Sequence, residues 1–376
     1  MQGDSSALSR PRKRPRANSI DSDGAEVTLI EEPASVKIVR DPVYYNPSGD
    51  CKILVEDTLF CIHRFLLEQD SATFQTMFQL PQGAHAPQGS TDEDPIVLMG
   101  DSVAQFRALC WALYALPNEI VKATTSNKYI EKLAELATIS QKYQLAAFES
   151  WSMDSVQSQC QASGSAATFL LTCPPHLLPL LLRLSILYGD DTLLKRIISA
   201  WVSRLTTIPL SPSYLPVAEF STALRSAEDN NLRDFLGQLY YARLRIAHLD
   251  SVTPHTDFPF QDLEPRHLGR ILRGSWLLST MWQKLRPELP PGPGVQCPHH
   301  PYECVPEWKR LWAEAGTKEG AADVKGKLNW VHNSLPSGRH GEMKITLHCA
   351  ERGKGIVKKL KKQVDQALPD YFLGPP

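Results

Sequence analysis

Residues 49–67 read GDCKILVEDTLFCIHRFLL, and this stretch decides how the first half of the chain is read. In CKILVE, Ile53 and Val55 alternate with Lys52, Leu54 and Glu56, the period of two that turns one face of a strand toward a core. Glu56-Asp57 supplies a tight turn into a second run, TLFCIH, so the stretch predicts a β-hairpin. His63-Arg64 then leads into Phe65-Leu66-Leu67. Asp70 or Ser71 offers a cap for a short helix on which Phe74, Met77 and Phe78 fall at i, i+3 and i+4. Residues 80–94 (LPQGAHAPQGSTDED) are rich in Pro, Gly and acid and predict a loop, and PIVLM after them predicts a strand ending at Gly100. Asp101 is expected to cap a helix on which Val103, Phe106, Leu109, Cys110, Leu113 and Tyr114 share a face until Pro117 stops it. A further helix, Asn127 to about Phe148, places Ile130, Leu133, Leu136, Ile139 and Tyr143 on one side. Leu54, Phe60, Phe65 and Phe106 are expected in the core, and His63 as a hydrogen-bonded structural residue.

This order of hairpin, two helices, strand, helix and helical hairpin resembles a BTB/POZ domain. The resemblance rests on GDCKILVEDTLFCIHRFLL, DSATFQTMF, PIVLMGDSVAQFRALCWALYALP and KLAELATISQKYQLAAF, and it covers Asp41 to Ala147. His63 stands where the family has a histidine before a helix start, and Ser71, Phe74 and Phe78 where it has a serine and aromatic residues. The variant is most similar to the BTB proteins of mushroom-forming fungi. The fold class implied is α+β, a BTB/POZ domain with a small sheet and helical hairpins, followed by an all-helical C-terminal region. Such domains form homodimers, and some recruit a cullin scaffold so that the rest of the chain presents a substrate for ubiquitination. Two features depart from the family. The dimers that exchange a long N-terminal helix have no counterpart in Ser35–Gly49, which contains Pro42 and Pro47. The apolar-X-Glu signature of some cullin adaptors is replaced by Gln79-Leu80-Pro81-Gln82.

Around this region, composition sets bounds. The chain has 376 residues, 42% hydrophobic, enough for one or two cores. Lys+Arg 40 against Asp+Glu 41 gives a net charge of -1, so no global field draws it to nucleic acid or an acidic membrane. The longest apolar run, Leu177 to Tyr188, carries Pro179 and Arg183 and is too short for a membrane span. Residues 1–40 read as a disordered basic arm, with few large apolar side chains. Arg10, Arg12, Lys13, Arg14 and Arg16 in SRPRKRPR suit a nuclear-import receptor, and Ser19 behind them is a candidate phosphorylation site. Basic residues also stand where a secretory signal needs an apolar stretch, so a nuclear or nucleocytoplasmic, intracellular location is expected. The eight cysteines then read mostly as small buried hydrophobes.

Residues 41–149 form the first domain in this reading, 150–167 a Ser/Gln-rich linker, 168–285 a helical extension, and 286–376 a Pro/Gly-rich loop with a basic C-terminal helix. Leu194, Ile197, Ile198, Trp201 and Leu205 mark one inward stripe, and Leu268, Ile271, Leu272 and Trp276 another. In RPELPPGPGVQCPHHPYECVP, Cys297, His299, His300 and Cys304 are candidate zinc ligands, with Cys349 and His348 as distant ones. Trp308, Trp312 and Trp330 are expected to pack. Lys354, Lys358, Lys359, Lys361 and Lys362 line one side of the last helix, opposite Ile356, Val357, Leu360 and Val364. Nothing in residues 41–147 assembles a nucleophile, a base and an orienting acid. The function expected is non-enzymatic protein binding, by self-association or scaffold recruitment, with no membrane partner and no resident cofactor unless zinc. The alternative is a nuclear regulator touching nucleic acid through the arm or tail.

Overall fold

A strand absent from the sequence reading, β1 (Val39–Tyr45), precedes the hairpin β2 (Cys51–Val55) and β3 (Thr58–Ile62). Pro42 cannot donate to a ladder, so β1 is tolerated only at an edge. The ladder with β3 is parallel, and it breaks between the pairs Arg40–Leu59 and Tyr45–Cys61. Asp41 supports the break: its carboxylate accepts the N–H groups of Val43 (2.9 Å) and Tyr44 (2.7 Å) and the guanidinium of Arg107 (2.7 Å). Burial raises the Asp41 carboxyl, but these donors together outweigh it and hold the group below the usual carboxylate range. The chain enters the sheet at Val39, so the expected arm of residues 1–40 overlaps this strand.

The computed structural model describes residues 37–80, 87–161, 165–206, 217–250, 263–285, 287–288, 297–318, 320–336 and 345–375. Arg10, Arg12, Lys13, Arg14, Arg16 and Ser19 lie outside them. Glu56 makes the hairpin turn with φ 52, and β4 (Ile96–Leu98) pairs parallel to β2, giving the order β1-β3-β2-β4. The class is α+β: one small mixed sheet, with helices making up most of the rest. Ile53, Val55, Phe60, Ile62, Ile96 and Leu98 form the buried face.

Helices α1 (Arg64–Glu68) and α2 (Ala72–Gln79) follow the hairpin. Ser71 caps α2, its oxygen accepting from Phe74 N at 3.0 Å while its hydroxyl donates to the carbonyl of Tyr143 at 2.5 Å. Helix α3 (Val103–Tyr114) is capped by Ser102 in a capping box with Gln105 rather than by Asp101. Asp101 instead accepts from Tyr143 Oη (2.5 Å) and Lys142 Nζ (2.7 Å), tying β4 to the later helix. Pro117 both ends one helix and starts the next, α4 (Pro117–Thr125), from the first-turn position where proline costs no hydrogen bond. After a 3-10 turn at Asn127–Tyr129, α5 (Ile130–Tyr143) ends at Gln144 in the left-handed region, so the single helix expected to Phe148 is two.

The second of these, α6 (Ala146–Gln159), corrects the expected linker 150–167: its first ten residues are helix, with Met153 and Val156 buried. Short polar side chains hid this helix. Ser152 and Ser155 turn their hydroxyls back to the carbonyls of Phe148 and Trp151 and so can face inward.

The remaining helices are α7 (Ser165–Thr172), α8 (Leu177–Leu187), α9 (Asp191–Thr206), α10 (Val217–Asp229), α11 (Arg233–Asp250), α12 (Pro265–Lys284), α13 (Val305–Lys318), α14 (Val324–Ser334) and α15 (Leu347–Leu373). Gly189, at φ 63, turns α8 into α9. Helix α8 also packs on α5, and Tyr188 Oη donates to the carbonyl of Ala137 at 3.0 Å. On α12 the buried stripe is His267, Ile271, Gly274, Leu278 and Trp282, whereas Leu272 and Trp276 are exposed. The basic helix α15 lies on α11, α12 and α14 with Val357, Val364, Leu368 and Phe372 buried. Trp308 and Trp312 pack as expected, Trp312 stacking on Trp282 with ring centres 5.1 Å apart.

His267, 5% exposed, places Nδ1 2.8 Å from Tyr240 Oη. Burial, aided by Arg266 and Arg270, lowers its pKa below the ordinary 6.5, and Glu228 only partly offsets this. The folded chain therefore holds a neutral ring that the unfolded chain protonates first. The associated stability is present above about pH 6.5 and is lost as pH falls toward the lower folded value. Urea midpoints should drop between pH 7.5 and 5, and less so in His267→Asn; an equal drop in both would remove His267 as the cause.

Candidate interaction surface and thiol cluster

The junction of β3 with α1 meets the end of α3 at Tyr114, whose hydroxyl oxygen accepts the His63 N–H at 3.0 Å and lies 2.8 Å from His63 Nδ1. Burial raises the pKa of that hydroxyl, keeping it protonated. On the other side, Asp50 accepts the Arg64 N–H at 2.7 Å, and the Arg64 guanidinium lies over the Phe78 ring at 4.4 Å. This pinned turn displays apolar surface, with Phe65 56% exposed, and Leu116, the cap of α4 two residues beyond Tyr114, is 63% exposed. The Phe65 ring centre is 6.1 Å from His63, which is 5.9 Å from Tyr114, so the rings form one aromatic patch. The structure thus moves Phe65 out of the core, since Leu67 faces inward and a residue two positions away on a helix points to nearly the opposite side. His63 has the structural hydrogen bonds expected of it.

Exposed aromatic side chains on a rigid frame, rimmed by charge, are the surface type on which binding energy concentrates. The sheet adds a second apolar edge at β4, where Val97 is 48% and Met99 82% exposed. Ser71 is engaged at both its donor and acceptor positions, as above. Residues 81–82, part of the segment that replaces the cullin-adaptor signature, lie outside the described residues, and Leu80 before them is exposed.

A second group lies at the far end of the helical region. Cys297 precedes a π-helical turn, His300–Cys304, that runs into α13, and Cys349 sits in the first turn of α15. The three sulfurs all lie within 4.8 Å of one another, Cys297 and Cys304 at 3.9 Å. Thr346, the cap of α15, places its hydroxyl 3.4 Å from Cys297 Sγ and 3.7 Å from Cys304 Sγ, and its N–H donates to Cys304 Sγ at 3.5 Å. Arg352 Nη2 donates to Cys349 Sγ at 3.1 Å, and His300 Nδ1 lies 3.5 Å from the same sulfur. The Thr346 hydrogen bond leads the effects that lower the Cys297 thiol, while burial raises Cys304.

Of the expected ligands, His299 is not brought in: it is turned outward and pairs with Glu303 at 3.3 Å. His348 is exposed one residue before Cys349, which does join. No local spacing signals Cys349, forty-five positions beyond Cys304. The other cysteines behave as core residues; burial pushes Cys51 up to about 12.

On α15, Lys361 donates to Asn329 Oδ1 at 2.5 Å and Lys354 to the carbonyl of Pro336 at 3.0 Å, while Lys358, Lys359 and Lys362 are exposed. Among the described residues, no helix is long and apolar enough to cross a membrane. No protein-family model matches the chain, and no curated protein matches its sequence.

Proposed function

We propose that this chain is a non-enzymatic interaction protein in which residues 39–160 act as a BTB/POZ-type module for self-association or for recruiting a scaffold, a cullin being one such scaffold. The basic arm Arg10–Arg16 serves nuclear import in this reading. The element order supports it: hairpin, α1 and α2, a strand returning parallel to the first hairpin strand, α3, then the paired helices α5 and α6. The observation that carries it is the aromatic patch of His63, Phe65 and Tyr114, held by hydrogen bonds on both sides and followed two residues on by the exposed Leu116.

Sedimentation velocity over a concentration series tests the self-association arm. The full chain should shift from monomer toward dimer as concentration rises, and Phe65→Glu with Leu116→Glu should remain monomeric with an unchanged melting midpoint. A dimer that survives the double substitution would place the interface elsewhere.

A further inference from the structure

We propose that Cys297, His300, Cys304 and Cys349 form a structural zinc site that fastens the segment before α13 to the N-terminus of α15. The three sulfurs are gathered closely enough for one ion. Tetrahedral zinc with bonds of about 2.3 Å to sulfur and about 2.05 Å to nitrogen sets sulfurs about 3.8 Å apart and sulfur to nitrogen about 3.6 Å. The three sulfurs lie within 4.8 Å of one another, Cys297 and Cys304 at 3.9 Å. His300 Nδ1 is 3.5 Å from Cys349 Sγ but not within 4.8 Å of all three sulfurs, so its ring must move toward them to become the fourth ligand. Cys304 and Cys349 are fully buried and Cys297 is at the margin, as in a closed site.

Polar groups converge on the sulfurs. Cysteines acting as apolar filler need no donors, yet here a backbone N–H, a hydroxyl and a guanidinium are directed at the sulfurs. Three thiolates, one zinc and a neutral imidazole carry a net charge of -1, which Arg352 and the positive end of α15 offset. The four residues come from a turn, a π-helical turn and a distant helix, so one ion cross-links parts of the chain that are far apart in sequence. Binding energy at such a site is folding energy.

Full-length chain purified under reducing conditions should carry about one zinc per molecule by elemental analysis. Stripping with a strong chelator should lower the melting midpoint, and adding zinc should restore it. Cobalt should give the thiolate charge-transfer band and intense tetrahedral bands. Cys297→Ser and His300→Ala, checked for wild-type helicity, should each weaken zinc binding at least about tenfold, since even residues that only orient ligands cost about that much, whereas His299→Ala should not. The proposal is overturned if zinc and cobalt leave the stripped wild-type chain unchanged in spectrum, thiol reactivity and melting. Tight zinc binding by His300→Ala would remove His300 from the site and overturn the four-ligand assignment.

Discussion

Phe106→Asp abolishes the cooperative unfolding of residues 39–160. Phe106 is 0% exposed, and its ring meets Phe60 edge-on with centres 4.8 Å apart, joining α3 to the inner face of the sheet. Losing such a ring costs about 3–5 kcal/mol. A carboxylate without a partner adds several more, or takes up a proton to avoid them. Together these approach the whole stability of a domain, about 5–15 kcal/mol. Phe106→Leu keeps the site apolar and should retain the transition at a lower midpoint. Urea denaturation followed by circular dichroism measures both, and a wild-type midpoint in Phe106→Asp would show α3 to be wrongly packed in this account.

The second large effect reverses a general rule. Replacing a helical glycine by alanine ordinarily stabilises by about 0.5–1 kcal/mol, because glycine loses more backbone freedom on folding. Gly269→Ala on α12 should follow the rule, since a Cβ there meets nothing within 4 Å. Gly274→Ala, little more than a turn later, should instead destabilise by about 2–3 kcal/mol, the cost of overpacking a filled site. A Cβ at Gly274 would overlap the ring of Phe372, which is 1% exposed and packs on Tyr240 with ring centres 5.6 Å apart. Helix α15, which carries Phe372, crosses α11 at Gly237, where a Cβ would come within 2.8 Å of Pro369 Cα. Truncating Phe372 to Ala in the Gly274→Ala background should cost less than the sum of the two single changes, a coupling readable by a double-mutant cycle. Equal, additive effects would mean that α15 does not seat on α12 through these residues.

These positions show where sequence was readable. The hairpin is legible because alternation and a two-residue turn are local signals, and the start of α2 because Asp70 and Ser71 both offer a cap, of which the structure uses Ser71. Strand β1 was not, because Pro42 argues against a strand and only Asp41, bonded to Arg107 across the fold, makes the break tolerable. Helix α6 was hidden by serines that satisfy themselves on its own backbone. Periodicity found a face on α12 but set it too far round, taking in Leu272 and Trp276, because the closest approach is set by a glycine that has no hydrophobic signal.

The candidate sites follow the same division. Cys297, His300 and Cys304 are near neighbours in sequence and could be read as a group. The choice between His299 and His300, and the arrival of Cys349, depend on the π-helical turn and on the docking of α15. The Phe65 patch was misread as core because apolar character alone does not say which side of a five-residue helix faces in.

In the proposed function, protein binding runs through the patch at His63, Phe65 and Tyr114 with the nearby exposed Leu116. Its most direct test is affinity purification of tagged full-length chain from its native cells, with co-purifying molecules quantified against a bead control and against the Phe65→Glu, Leu116→Glu variant. The account predicts near-stoichiometric recovery of untagged copies or of a scaffold such as a cullin from wild type, and its loss from the variant at equal bait. Recovery of the same proteins by both baits, or of nucleic acid alone, would contradict it.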